Sequence, residues 1–163
     1  MRHLLSLAVL FCVVAPAASA QRRNEVWNEL LPPGNGHGAV VASCTGCHSM
    51  KVIVHARRSA QEWAVTVNDM IQRGAPAFPD EIGPMAAFLA KSFTATTPRL
   101  MNVNTARRED LATLPGMNTE NAARITEARL NSVAFRNSED LRRALGMEKE
   151  EFEKIRYFFK YSD

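Results

Sequence analysis

The chain has 163 residues, 46% of them hydrophobic, with 20 Lys and Arg against 17 Asp and Glu. That length suits one or two small domains, and that apolar content excludes a disordered chain. Residues 21–97 carry seven basic and six acidic side chains, and residues 98–163 carry twelve and eleven, so neither half is a patch that binds nucleic acid by charge alone.

Met1, Arg2 and His3 form a short basic start, residues 4–18 run apolar, and Ala18-Ser19-Ala20 offers small residues at −3 and −1 of a cleavage point. This is the layout of a secretory signal peptide, residues 1–20, with an uncut N-terminal anchor as the rival reading. Cleavage near Ala20 predicts a periplasmic or otherwise exported protein. No later apolar run is long enough to span a bilayer, so no membrane insertion of the mature chain is expected. Cys12 leaves with the leader, and Cys44 and Cys47 are then the only cysteines, in a compartment that oxidises unprotected thiols.

In chain order, "LPPGNGHG" is a turn-rich lead-in and "AVVASCTGC" a short helix. "SAQEWAVTVNDMIQRG" is a helix with a Ser59–Glu62 capping box and Gly74 as its stop. Trp63, Val67, Met70 and Ile71 share one of its faces. "APAFPDEIG" is a loop, and the next helix covers residues 81–92, with Ile82, Met85, Leu89 and Phe93 inward and Pro84 in the first turn. Residues 94–99 are the linker. Beyond it, helices are predicted over 105–114, 118–129, 137–145 and 148–160, opened by Asn104 or Thr105, Asn118, Ser138 and Met147. No strand pattern competes, so the fold class is all-α.

Cys44-Thr45-Gly46-Cys47-His48 is C-x-x-C-H, the attachment sequence for haem c. Each thiol adds to one vinyl group of the porphyrin, two intervening residues span the fixed distance between the vinyls, and the adjacent histidine is delivered to the iron. Thr45 and Gly46 are small enough to lie against a ring edge. A tetrahedral zinc site needs about four ligands, and outside the leader only His37 and His55 remain to supply them. A thioredoxin-like pair belongs in a βαβ setting that is not visible here, and a disulfide across two residues is strained. The expected cofactor is one covalent haem c, with Cys44, Cys47 and His48 as binding residues and His48 as the proximal iron ligand.

"LPPGNGHGAVVASCTGCHSM", "RRSAQEWAVTVNDMIQRGAP" and "DEIGPMAAFLAKSF" make residues 31–93 resemble the small class I c-type cytochrome domains of periplasmic electron-transfer proteins. The resemblance implies a monohaem cytochrome c domain over residues 21–93. It also implies single-electron transfer without enzymatic chemistry, and a periplasmic redox protein, a dehydrogenase or an oxidase, as partner. It further implies that the methionine of the Trp63…Met70…Gly74-Ala75 run is the distal iron ligand. From the residues alone both Met70 and Met85 border the loop, with His55 and His37 behind them, and either methionine also fits as core. Arg57 and Arg58 stand where a guanidinium meets a haem propionate, or where a helix start is solvated.

"NVNTARREDLATLPGMNTENAARITEAR", with a second turn at Leu145-Gly146-Met147-Glu148, makes residues 100–160 resemble the tandem helix-hairpin-helix module of ComEA-like DNA receptors and DNA-repair proteins. The resemblance implies an anion site at Gly116 and Asn118, because hairpin N–H groups of such modules hold a phosphate. The second glycine of the G-x-G pattern is replaced in both hairpins, by Asn118, which can take a left-handed turn, and by Glu148, which sets a negative charge where phosphate would lie. The domain of residues 100–163 is therefore expected to dock a protein in the first place, and DNA in the second.

Overall fold

The computed structural model describes residues 27–131 and 134–162. The expected leader, with Cys12, lies outside the described residues.

The described chain is helical, apart from one pair of two-residue strands. Its elements are α1 (His37–Cys44), α2 (Lys51–Val54), α3 (Ala60–Gln72), α4 (Pro79–Ser92), β1 (Met101–Asn102), α5 (Arg108–Ala112), α6 (Thr119–Asn131), α7 (Ser138–Leu145), α8 (Lys149–Phe152), a 3₁₀ turn (Arg156–Phe158) and β2 (Phe159–Lys160).

Two hydrophobic cores form. The first gathers Trp27, Val40, Met50, Val54, Trp63, Val67, Met85, Phe88, Leu89 and Phe93 from the chain up to α4. The second gathers Val103, Leu111, Ile125, Leu141, Leu145, Phe152, Ile155 and Phe159. No helix among the described residues is long and apolar enough to cross a membrane.

In the first unit, α3 and α4 form the largest helix pair. The predicted capping box opens α3: the Glu62 N–H donates to Ser59 Oγ, and the Ser59 N–H donates to Glu62 Oε2 at 2.8 Å. α4 starts two residues before the predicted boundary, with Pro79 at its first position. Glu81 accepts the Phe78 N–H at 2.9 Å and so fixes that start. Pro84 consequently lies inside the helix rather than in its first turn, where its ring removes the backbone bond to Asp80. Its own carbonyl meets Gly36, whose φ is +92°, and a Cβ there would lie 2.3 Å from that oxygen. Glycine is therefore required where α1 starts against α4.

In the second unit, β1 and β2 pair in parallel, Met101 opposite Phe159 and Asn102 opposite Lys160. This corrects the strand-free reading. The predicted helix over 148–160 stops after one turn: the Lys154 and Ile155 N–H groups bond back only three residues, to the Glu151 and Phe152 carbonyls, and Phe159 and Lys160 then pair with β1. α5 begins at Arg108 instead of 105, since the Thr105 and Ala106 N–H groups turn back onto the Asn102 carbonyl. Asn137, not Ser138, caps α7 by accepting the Asp140 N–H.

Candidate functional site

A cavity of about 270 Å³ opens inside the first unit. α1 and the turn after it contribute Ser43, Cys44 and His48. α2 contributes Val52 and Ile53, α3 contributes Trp63, Thr66, Val67, Met70 and Ile71, and α4 contributes Met85 and Leu89. The structure therefore brings together Cys44, His48 and both candidate methionines. Cys47 is exposed on the neighbouring turn and does not line the wall. Thr45 ties that turn to α1 by donating through Oγ1 to the Val41 carbonyl at 2.8 Å. A Cβ at Gly46 would meet nothing within 4 Å, so the space beside the turn is open.

Cys44 and Cys47 are both free thiols. Burial, and then the neighbouring Cys47, push the Cys44 thiol above its ordinary range. Among the described residues no three His, Cys, Asp or Glu side chains gather into a metal-binding group.

His48 Nδ1 lies 3.2 Å from the Ser49 carbonyl. The tautomer that satisfies this contact carries its proton on Nδ1 and leaves the Nε2 lone pair free for a metal. His37 packs edge-on against Phe88, and His55 lies against Trp27 with Nδ1 2.9 Å from the Lys51 carbonyl. Neither lines the cavity.

The two methionines differ. Met85 is 2% exposed, and its sulfur accepts from the buried Ser43 hydroxyl at 3.9 Å. It is thereby held to the wall that carries Cys44. Met70 is half-buried in the last turn of α3, with Val67 one turn before it. Its carbonyl accepts the Ala75 N–H at 2.9 Å, which folds the following turn back onto the helix end.

The adjacent arginines part ways. Arg57 is spent on four carbonyls, those of Val54, Ala56, Thr97 and Pro98, and so clamps the linker. That position excludes it from the cavity. Arg58 lines the cavity, with its guanidinium 5.4 Å from the Trp63 ring centroid and Nη1 donating to Thr66 Oγ1 at 2.8 Å. Trp63 is core and wall at once: its indole N–H donates to the Phe93 carbonyl at 3.0 Å. Ser43 and Thr66 were not singled out from the sequence. Thr66 was readable, since it falls three residues after Trp63 and four before Met70, on the same helical face.

In the second unit, the Met117 N–H bonds the Leu114 carbonyl at 3.0 Å, and Gly116 takes φ +78° at the first hairpin turn. A Cβ at Gly116 would lie 2.5 Å from Ile155 Cγ2, so glycine is also needed for packing. Asn118 does not adopt a left-handed turn; among the described residues only glycines have positive φ. Its side chain caps α6 instead, accepting the Asn121 N–H at 2.8 Å. The Asn118 side chain is therefore engaged with the first turn of α6 rather than free at the expected anion site. The second hairpin turns at Gly146, φ +65°, with the Leu145 carbonyl held by Arg124 at 2.8 Å. Glu148 is the N-cap of α8 and makes no capping bond with its side chain. Two helical hairpins, α5–α6 and α7–α8, thus share one core. Residues 99–160 match the family model described as the helix-hairpin-helix motif.

This part of the chain is a helix-hairpin-helix domain.

The match begins within one residue of the resemblance read from the sequence and ends with it. No curated protein and no solved structure matches the chain. The helix-hairpin-helix domain is compatible with DNA as a partner.

Proposed function

We propose that the chain is an exported monohaem c-type electron carrier, with its haem-binding unit ahead of the helix-hairpin-helix domain. The observation that carries this reading is the convergence of Cys44, His48 and Met70 on one largely apolar cavity beside a free Cys47. Each thiol would add its sulfur to one vinyl carbon and its hydrogen to the other, a redox-neutral step that exchanges an S–H and a C=C for a C–S and a C–H. His48 would supply Nε2 as an iron ligand, with Nδ1 directed to the Ser49 carbonyl. Met70 offers a thioether from α3. Ile53, Val67 and Leu89 give the cavity apolar walls, which would exclude water from a bound haem. The bound group supplies a metal that changes by one electron, and the protein performs no bond-making on a substrate. A periplasmic redox protein, a dehydrogenase or an oxidase, is the partner, with the helix-hairpin-helix domain as the docking element.

The test is covalent attachment. Chain produced in a host that attaches haem c should keep its red colour through acid–acetone extraction, and Cys44→Ser with Cys47→Ser should release it. Colour that leaves the unaltered chain with the solvent refutes the reading.

The family match favours a second reading for the C-terminal part: a DNA-binding, receptor-like module that carries the first unit with it. Duplex binding by the full chain at two salt concentrations separates the two readings, because phosphate contacts release counterions and docking to a protein does not.

A further inference from the structure

We infer that Arg58 binds the propionate carboxylates of the haem and thereby sets which edge of the ring faces the cavity mouth. The inference rests on the haem reading above. An ionised carboxylate cannot be left among the apolar side chains of Ile53, Val67, Met85 and Leu89 without a large desolvation cost. Among the side chains that line the cavity, Arg58 is the one permanent cation, and it sits at the exposed edge. Vinyl groups tied to Cys44 and Cys47 would leave the acidic edge of the ring away from that turn, and Arg58, just before the start of α3, is the cation that lines the rest of the cavity.

Arg58 is built for that contact. Its backbone N–H donates to the Phe93 carbonyl at 3.1 Å, the same oxygen that accepts the Trp63 indole N–H. Its guanidinium lies over the Trp63 ring, and Nη1 is held by Thr66 Oγ1. Thr66 donates its own hydrogen to the Glu62 carbonyl at 2.7 Å, so it positions Arg58 and has no hydrogen left for a ligand. The Glu62 carboxylate is close enough to feel the Arg58 charge, but its Oε2 is held by the Ser59 N–H and hydroxyl rather than by the guanidinium. One guanidinium donor is thus engaged and four remain, in the planar array that pairs with a carboxylate.

The test uses the full chain with Cys44→Ala and Cys47→Ala, titrated with haem and with haem dimethyl ester, which lacks the carboxylate charges. Haem should bind about tenfold or more tightly than the ester, the size of a charge-assisted hydrogen-bond contribution. Arg58→Leu should remove that preference, and Arg58→Lys should keep part of it. A preference unchanged by Arg58→Leu overturns the inference. The covalently loaded chain gives a second reading. Arg58→Leu should lower its reduction potential, because loss of a nearby positive charge favours the oxidised iron, and Arg58→Lys should restore most of it. A potential that Arg58→Leu leaves unmoved also overturns the inference. Absence of haem from both the unaltered and the double-alanine chain sinks the haem reading itself, and this assignment with it.

Discussion

Asn104 grips the backbone of Phe135 from both sides. Its Nδ2 donates to the Phe135 carbonyl at 2.9 Å, and its Oδ1 accepts the Phe135 N–H at 2.8 Å. The same Nδ2 also donates to the Tyr161 carbonyl at 2.9 Å. One side chain therefore ties the start of the helix-hairpin-helix domain to its middle and its end. Asn104→Ala should destabilise the domain by about 1–3 kcal/mol, the cost of leaving such groups without partners. Asn104→Asp should be worse, since a carboxylate cannot donate to either carbonyl. Urea unfolding of the full chain, followed by circular dichroism, checks the order. Equal midpoints for all three proteins would show that the clamp contributes nothing.

Local signals were legible in the sequence. The Ser59–Glu62 capping box forms as read, and the five residues from Cys44 to His48 carry the spacing that the proposed haem attachment would need. The start of α4 was also readable in principle: Pro79 with Asp80 and Glu81 behind it is a helix N-terminus, although the run looks like a loop. Contacts distant in sequence were not legible. Phe152, Ile155 and Phe159 carry a helical period, yet residues 159 and 160 are extended and pair with residues 101 and 102, a partner almost sixty residues away. Nothing local separates Arg57 from Arg58. The linker carbonyls at 97 and 98 decide that Arg57 becomes a clamp.

The two methionines should respond differently to truncation. Met70→Ala should lower the reduction potential of the loaded chain and open the iron to added ligands, because a thioether stabilises the ferrous state. Met85 is 2% exposed, and Met85→Ala should mainly cost stability, about 2–5 kcal/mol for the hole it leaves. The sulfur–iron absorption band and the thermal midpoint distinguish them. Loss of the band in the Met85 variant and its retention in the Met70 variant would reverse the assignment.

Glu62 predicts an acid limb. The Ser59 backbone N–H, and then the Ser59 hydroxyl, hold its carboxyl below the ordinary carboxylate range. A depressed folded value means that its contribution is fully present above the unfolded value, near 4.3, and is lost as pH falls through the lower folded value. Glu62→Gln keeps a capping oxygen but cannot titrate. Its unfolding midpoint should therefore vary less with pH below about 4.5 than that of the unaltered chain. Parallel curves for the two proteins would rule out this coupling.

DNA binding should be weak in the unaltered chain, for reasons that sit at the two hairpins. Capture of a phosphate needs free N–H groups and no competing anion. At the first hairpin the Asn118 side chain already occupies the Asn121 N–H. At the second, Glu148 puts a carboxylate at the start of α8, against the attraction of the helix terminus. Twelve basic and eleven acidic residues in 98–163 leave little net charge to displace counterions, so the salt dependence should be shallow. Asn118→Gly gives up a cap at a cost of a few tenths of a kcal/mol, and Glu148→Gly removes the opposing charge. The paired substitution should raise affinity for duplex DNA, with the larger part of the gain from position 148. Fluorescence anisotropy of a labelled duplex at two salt concentrations measures both effects. Submicromolar binding by the unaltered chain at physiological salt would overturn this expectation and move the DNA-receptor reading ahead of the docking one.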